Sequence, residues 1–241
     1  MSIGSKLYYF DEIDSTNEFA KKIIGEAKDG TVILADTQTA GKGRLERTWY
    51  SPEGGIYMSI ILFTDKPLMI PILASVAICE TFYNNYDILL GIKWPNDLLL
   101  NDKKVAGILV EMVDLAIIMG LGINLNIAEF PEELQNTASS IFLETRKKLD
   151  KMMVVNDLFR EIEKLYQLLQ KGETGEIIQK WRHYTIMFGK KVIIETPAGT
   201  ISGKVIDIAG NGALVLSLSE GRIEKVLAGD CRIIKENKAS L

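Results

Sequence analysis

The 241-residue sequence has one histidine and two cysteines, and both scarcities exclude kinds of chemistry. His183 lies in Trp181-Arg182-His183-Tyr184, which shows no acid or nucleophile pattern, so a structural role is favoured over a histidine-based triad. Cys79 and Cys231 are far apart in the chain and lack metal-ligand or redox spacing. We therefore expect two reduced structural thiols in a cytoplasmic protein.

Long apolar runs and a strong net charge are also missing. No run approaches the ~18 apolar residues of a membrane span, and the N-terminus has no apolar signal core, so no membrane segment is expected. The formal net charge of −4 argues against binding nucleic acid by bulk charge, so any anion site is a local basic patch. The hydrophobic (47%) and charged (25%) fractions are typical of a globular protein with one large or two unequal domains.

The sequence does contain a loop rich in glycine and arginine, between apolar runs at residues 31–35 and 56–63. The sequence of this loop is Gln38-Thr39-Ala40-Gly41-Lys42-Gly43-Arg44-Leu45-Glu46-Arg47-Thr48-Trp49. Its glycines let the backbone approach a ligand and expose N–H groups, and its arginines present planar donor forks suited to phosphate and carboxylate. The pattern indicates an anion-binding loop. A solvated basic hairpin is the alternative, because Gly-x-Gly alone is weakly specific.

A helix start precedes this loop. Ser15 followed by Glu18 fits a capping box, in which the serine side chain and the glutamate side chain each satisfy a backbone N–H of the first turn. A helix N-terminus is also a place where a polar ligand meets free N–H groups. The two interpretations are compatible, because Ser15 can cap the helix while Thr16 or Asn17 faces a pocket.

Two polar residues next to apolar runs have a structural and a functional interpretation. Lys104 borders the run 105–110, so its ammonium is either solvated in a turn or directed into a site. Asn124 follows the run 115–123, and asparagine is a poor strand residue whose amide needs partners when buried. It is either a turn former or a residue that reads a ligand.

Hydrophobic periodicity predicts an α+β fold, with helices packed on a sheet. Strands are expected at 7–13, 31–35, 56–63, 88–93, 98–100, 105–112 and 115–123. Helices are expected after Ser15 and at 68–86, 155–169 and 177–181. Short strands at 192–195, 200–208, 213–218 and 222–227 alternate with turns, which predicts a small C-terminal barrel. We place the domain boundary near Met187, giving domains 1–187 and 188–241.

Several motifs follow one another in a fixed order. They are Ser15-Thr16-Asn17; Gln38 with Gly41-Lys42-Gly43-Arg44-x-x-Arg47-x-Trp49-x-Ser51-Pro52; Lys93-Trp94-Pro95-Asn96-Asp97; Lys104-x-x-Gly107-Ile108-Leu109-x-Glu111; and Gly120-x-Gly122-Ile123-Asn124-x-Asn126. In this order they resemble the biotin protein ligase family, over nearly the whole chain. Lys42 stands where the family frequently has arginine, and Leu45-Glu46 replaces a step that is more basic or glycine-rich in some members.

The resemblance implies a fold and a set of site residues. The implied fold is a mixed sheet with helices, similar to the catalytic domain of class II aminoacyl-tRNA synthetases, plus a C-terminal SH3-like β-barrel. The implied catalytic residues are Lys104, Arg44 and Arg47. The implied biotin-binding residues are Ser15, Thr16, Asn17, Gln38, Gly41, Lys42, Gly43, Arg44, Trp49, Lys104 and Gly107. The implied ATP-binding residues are Arg44, Arg47, Trp49, Lys93, Asn96, Lys104 and Asn124, and the metal ligands are left open.

The resemblance also implies a two-step reaction with ATP and Mg²⁺. The carboxylate of biotin attacks the α-phosphate to give biotinyl-5′-AMP, and a lysine of a biotin carboxyl carrier protein then attacks that anhydride. The sequence resembles the monofunctional members without an N-terminal DNA-binding domain, so we expect no DNA partner, no membrane and a possible homodimer in the cytoplasm.

Two alternatives stay open. A lipoate or octanoate ligase or transferase shares the general fold but lacks the Gly-x-Gly-Arg loop paired with Lys-Trp-Pro-Asn-Asp. A non-catalytic nucleotide- or RNA-binding module could use the basic loop and the barrel. The acidic net charge and the absence of basic runs interleaved with aromatics count against that second alternative.

Overall fold

The computed structural model describes residues 2–234, which form two β-sheets and five α-helices. The strands are β1 (Leu7–Ile13), β2 (Thr31–Gln38), β3 (Ile56–Leu62), β4 (Gly91–Lys93), β5 (Asp97–Leu100), β6 (Lys103–Val113), β7 (Ala116–Ile123), β8 (Lys191–Thr196), β9 (Gly199–Ile208), β10 (Leu214–Ser217), β11 (Ile223–Val226) and β12 (Asp230–Ile233). The helices are α1 (Thr16–Ile23), α2 (Ile70–Tyr86), α3 (Ile141–Thr145), α4 (Lys151–Lys171) and α5 (Thr174–Tyr184).

The larger sheet is mixed, as the resemblance implies. Its seven strands lie in the order β1-β2-β3-β7-β6-β5-β4, with β1 and β2 parallel and the other neighbours antiparallel. Helices α2, α4 and α5 bury one face of this sheet in the main hydrophobic core. Helix α1 covers part of the opposite face over a smaller apolar cluster, so the rest of that face is left for a cavity.

Three glycines shape the face that α1 covers in part. Gly107 of β6 is paired with Gly122 of β7, and Leu109 is paired with Gly120. Because side chains alternate between the two faces of a strand, these positions lie on one face. The absence of side chains at 107, 120 and 122 leaves room there for other groups to approach the sheet backbone.

Helix α2 is apolar on all sides and lies in the core. With the turn before it, it forms the segment Pro67–Tyr86, which by length and composition could cross a membrane, yet 72% of its most apolar window is buried in the fold. A helix that is hydrophobic all round is typical of the interior of a protein. Pro71 lies in its first turn, where a missing N–H costs little.

The smaller sheet is antiparallel, in the order β11-β10-β9-β8-β12. It follows α5 through a short connection in which Met187 is buried. The guanidinium of Arg182 on α5 donates to both carboxylate oxygens of Asp207 on β9, at 2.8 and 3.0 Å. Helix α5, which packs on the larger sheet, therefore contacts the smaller sheet through side chains as well as through the chain.

Several predicted boundaries are wrong. Residues 88–90 are not a strand, and β4 begins at Gly91. Helix α4 begins at Lys151, four residues before the predicted start, because the carboxylate of Asp150 caps it by accepting from Met153 N at 2.9 Å. Helix α5 extends beyond 177–181 at both ends. Strand β12 was not predicted, and Met1 and residues 235–241 of the predicted domains lie outside the described residues.

Candidate active site

A cavity of about 230 Å³ lies between the N-terminus of α1 and the paired strands β6 and β7. The loop after β2, here called the basic loop (residues 41–49), forms another wall, and the segment 130–138 and one residue of the smaller sheet complete it. The lining residues are Ser15, Thr16, Asn17, Gln38, Lys42, Gly43, Arg44, Arg47, Thr48, Trp49, Tyr50, Asn96, Asp97, Lys104, Gly107, Ile108, Leu109, Gly120, Leu121, Gly122, Asn124, Phe130, Leu134, Thr137, Ala138 and Asp230.

The indole of Trp49 lies against the paired glycines of β6 and β7. A Cβ atom at Gly107 would lie 2.7 Å from Trp49 Cζ3, and one at Gly122 would lie 2.5 Å from Trp49 Cε2. The ammonium of Lys104 lies 5.1 Å from the ring centroid, within cation–π range. Trp49 Nε1 is buried and has no hydrogen-bond partner within residues 2–234, so the cavity wall holds one unused donor.

The start of α1 presents buried polar groups to the cavity. Ser15, Thr16 and Asn17 are each at most 4% exposed. Thr16 N donates to Gln38 Oε1 at 2.9 Å, and Gln38 Nε2 donates to Ser51 Oγ at 3.0 Å, which fixes the orientation of the Gln38 amide. These contacts create a polar, uncharged end of the cavity.

Asn17 is held from two sides. Its Nδ2 donates to Glu111 Oε2 at 2.8 Å, and its Oδ1 lies 2.6 Å from Ser59 Oγ. It also lies over Gly120, where a Cβ atom would be 2.4 Å from Asn17 Oδ1. The Asn17 side chain is therefore fixed by hydrogen bonds and by contact with the sheet.

Positive charge converges on the opposite end of the cavity. Lys104 Nζ lies 2.6 Å from Asp97 Oδ1. Arg44 donates to Asn96 Oδ1 at 3.0 Å and to the carbonyl oxygen of Gly229 at 2.9 Å. Burial removes part of the hydration of the Arg44 guanidinium, which lowers its pKa. This partly desolvated cation is available to a bound anion.

Arg47 joins the basic loop to the smaller sheet. Its Nη2 lies 2.6 Å from Asp230 Oδ2, and its side chain is 62% exposed. Although Asp230 is partly buried, its hydrogen bond with Arg47 lowers the pKa of its carboxyl, which keeps it ionised. The two arginines of the loop therefore contact the turn between β11 and β12 and the first residue of β12.

Two asparagines predicted to bind a nucleotide are committed to backbone groups. Asn96 Nδ2 donates to the carbonyl of Ile108 at 3.1 Å, and Asn124 Nδ2 donates to the carbonyl of Ser139 at 2.9 Å. Both line the cavity. Their side chains also hold β6 and the backbone at residue 139 in place, so they have a structural role.

The structure brings most of the predicted site residues to this one cavity, and two lie outside its lining. Gly41 is buried behind it, and a Cβ there would be 2.5 Å from Ser51 Oγ. Lys93 lies nearby, with its Nζ 3.8 Å from Asp97 Oδ2. The other predicted positions all line the cavity.

Three parts of the site were not predicted from the sequence: Asp97, Asp230 and the segment 130–138. Asp97 stands inside a quoted motif, so its proximity to Lys104 could have been considered. Asp230 lies in the other sheet, and no local pattern places it beside Arg47. The segment 130–138 contributes through a bridge between Ala138 and Lys104, which depends on tertiary structure.

Family models match both parts of the chain. Residues 9–125 match the biotin/lipoate A/B protein ligase family, and residues 187–233 match the biotin protein ligase C-terminal domain. These ranges include the strands around the cavity and the smaller sheet.

Relatives and solved structures extend this similarity. The bifunctional ligase/repressor BirA of Bacillus subtilis is 36% identical over 244 residues, covering 96% of this chain and 75% of BirA. The biotin–[acetyl-CoA-carboxylase] ligase of Mycobacterium tuberculosis is 30% identical over 229 residues, covering 90% and 84%. The biotin protein ligase of Aquifex aeolicus, solved in complex with biotin and ATP, superimposes with a TM-score of 0.88 at 30% identity, covering 96% of this chain and 100% of that one.

Proposed function

The chain belongs to the biotin protein ligase family, and we propose how its cavity carries out ATP-dependent biotinylation. The protein activates biotin with ATP as biotinyl-5′-AMP and transfers biotin to a protein lysine. One observation carries this conclusion: three cationic side chains, Arg44, Arg47 and Lys104, line the same cavity as the uncharged polar groups at the start of α1. Such a cavity suits a ligand with a neutral polar end and a reacting anionic end.

The cations address the main electrostatic obstacle of the first step. A carboxylate that approaches a phosphate repels it, by about 4 kcal/mol for one charge pair at ~4 Å and an effective dielectric near 20. Lys104 would bridge the biotin carboxylate and the α-phosphate, and Arg44 with Arg47 would bind phosphate oxygens. Such contacts are most effective where charge develops in the transition state. The step needs no covalent enzyme nucleophile.

The other end of the cavity suits the neutral part of biotin. The ureido ring needs both donors and acceptors, which Ser15, Thr16 and Gln38 offer. Trp49 and the strand around Gly107 offer an apolar wall for the thiophane ring and the acyl chain. Asn17, Lys42 and the loop glycines 41 and 43 would shape the same subsite.

The nucleotide would bind at the cationic end of the cavity. Asn124 would contact the adenine, and Asn96 and Lys93 would support the phosphates. No cluster of three His, Cys, Asp or Glu residues suited to a metal ion occurs within residues 2–234. Mg²⁺ is usually held by one or two carboxylates together with substrate phosphates, and the cavity-lining Asp97 fits that requirement. When bound, the ion would neutralise phosphate charge.

The basic loop would protect the product. Glycine-rich cationic loops are suited to closing over anionic ligands, and closure would exclude water from the acyl-adenylate. The contacts of Arg44 with Asn96 and Gly229 support a loop that spans the cavity when closed.

The acceptor and the assembly follow from the same function. The acceptor would be a biotin carboxyl carrier domain of a carboxylase, docking by pairing with an edge strand of the larger sheet. Strands β1 and β4 are its edges. A homodimer formed through the larger sheet is the proposed assembly. The free, buried thiols of Cys79 and Cys231 support a reducing compartment, the cytoplasm.

We also propose the finer description of the fold. The five antiparallel strands of the smaller sheet support an SH3-like barrel, and the mixed larger sheet supports a catalytic domain similar to class II aminoacyl-tRNA synthetases. The proposed division into 1–187 and 188–241 is supported by the start of β8 at Lys191.

Mass spectrometry of the purified protein tests the function directly. The protein is incubated with biotin and MgATP, with lipoate and MgATP, and with biotin and ATP in EDTA. We expect biotinyl-AMP in the first sample only. A lipoyl-adenylate would instead support the lipoate ligase alternative, and no adenylate in any sample would support the non-catalytic module. An adenylate that forms equally well in EDTA would contradict the role of Mg²⁺.

A further inference from the structure

The carboxylate of Glu18 is not used in the predicted capping box. Ser15 does cap α1, since its Oγ accepts from Glu18 N at 3.5 Å. The backbone N–H of Ser15, which a capping-box glutamate would bind, donates instead to Asp14 Oδ1 at 2.7 Å. The Glu18 side chain is therefore free to make other contacts, although it stands in the first turn of the helix.

Glu18 makes those contacts with two lysines, one of which belongs to the basic loop. Glu18 Oε1 lies 2.7 Å from Lys21 Nζ and 2.7 Å from Lys42 Nζ. These hydrogen bonds, first that of Lys21 and then that of Lys42, lower the pKa of Glu18 to about 2, so its carboxylate is charged at neutral pH. The ion pair Glu18–Lys42 thus joins α1 to the basic loop.

The same network reaches the floor of the cavity. Lys21 Nζ lies 2.8 Å from Glu111 Oε1, and the other oxygen of Glu111 accepts from Asn17. Charged and polar side chains therefore run without a break from buried Asn17 to exposed Lys42. Because Lys21, itself paired with Glu111, holds Glu18 in place, the Glu18 carboxylate is a fixed anchor for Lys42.

We propose that Glu18 is a positioning residue that latches the basic loop closed through Lys42 and so slows the escape of the bound acyl-adenylate. The inference rests on the proposed function. The loop is also held at Arg44, which contacts Asn96 and Gly229, and at Trp49, which lies on the paired glycines. The latch therefore adds to loop closure and is not required for folding. Ion pairs of this exposure change an equilibrium by about two- to fivefold.

A double-mutant cycle on the full-length protein tests the latch. Labelled biotinyl-AMP is formed on the wild type, on Glu18→Gln, on Lys42→Met and on the double variant. Its release is then followed by rapid filtration during a chase with unlabelled biotin and ATP. We expect each single variant to speed release about two- to fivefold, and the double variant to be no faster than the faster single variant. Glu26→Gln, an exposed acid after the same helix, is the matched control and should leave release unchanged.

Salt gives a readout that a purely structural role would not move. Raising NaCl from ~50 to ~500 mM should speed release more from the wild type than from Glu18→Gln, because the salt screens an ion pair that the variant lacks, whereas its effect on the other charge contacts is common to both proteins. Two results would overturn the latch if the wild type forms adenylate. One is an unchanged release rate in Glu18→Gln, and the other is a double variant whose acceleration of release equals the product of the two single accelerations. Failure of the wild type to form any adenylate would overturn the latch together with the proposed function.

Discussion

Lys104 Nζ lies 2.6 Å from Asp97 Oδ1 at the cavity wall, so the proposed catalytic cation has a carboxylate partner. In our proposal Lys104 exchanges this partner for the carboxylate and phosphate of the substrates. Asp97 would then be free to contact Mg²⁺. The pair thus places a cation and a potential metal ligand next to each other in the cavity wall.

Replacement of Lys104 by alanine should abolish most adenylation. Loss of one stabilising group at a reacting anion typically reduces the rate by about 10²–10³. We expect that reduction in biotin-dependent pyrophosphate exchange, with the melting temperature nearly unchanged because Lys104 is partly exposed. Lys103→Ala, on the neighbouring position of the same strand, is the control. Near-normal exchange by Lys104→Ala would refute the assigned role.

A methyl group at Gly122 should weaken biotin binding. The added Cβ would lie 2.5 Å from Trp49 Cε2, so the indole must leave the glycine floor. Trp49 belongs to a loop and can move, so we expect roughly tenfold weaker binding by calorimetry with little change in stability. Gly210→Ala, where nothing lies within 4 Å of the new Cβ, is the matched control. Equal affinity in Gly122→Ala and the wild type would show that the ring position does not matter.

The same change at Gly120 should affect stability instead. Its Cβ would lie 2.4 Å from Asn17 Oδ1, and Asn17 is only 4% exposed and held by Ser59 and Glu111. Overpacking of a fixed group costs about 1–3 kcal/mol, which corresponds to a fall in melting temperature of roughly 2–12 °C at this chain length. Thermal unfolding of Gly120→Ala beside Gly122→Ala measures the contrast. Equal melting temperatures for Gly120→Ala and Gly122→Ala would contradict this expectation.

The stability contributed by Glu18 should depend on pH. Its folded-state pKa of about 2 lies below its ordinary value of 4.5. The charged carboxylate therefore stabilises the folded protein above the unfolded pKa, and this contribution is lost as the pH falls from about 4.5 towards 2. We expect the difference in melting temperature between the wild type and Glu18→Gln to be constant between about pH 8 and pH 6. It should shrink below about pH 5, whereas a constant difference down to about pH 3 would contradict the assigned pKa.

Apolar runs made most of the larger sheet predictable. The strands around Ile33, Ile60 and Ile118 are continuous hydrophobic segments, and burial on both faces produces such segments. The edge strand β4 was misplaced because residues 88–90 are equally apolar but lie outside any strand. Strand β12 was missed because its four residues, Asp230–Ile233, carry too little alternation to stand out.

The site was predictable only in part. Glycine and arginine patterns, with the resemblance they carry, selected residues that line one cavity. Contacts such as Arg47–Asp230 and Glu18–Lys42 depend on how distant segments fold against each other, and periodicity contains no information about them. The capping-box pattern even assigned the Glu18 carboxylate to the wrong partner, because Asp14 competes for the same N–H.

The turn before β12 in the smaller sheet supports the cavity, because the carbonyl oxygen of Gly229 accepts a hydrogen bond from Arg44. A chain cut in the exposed connection at Gly189 and Lys190 would leave the basic loop on one fragment and its support on the other. Catalytic turnover would then depend on reassociation of the two fragments. The enzyme could in this way be made into a split reporter of proximity between two fused partners.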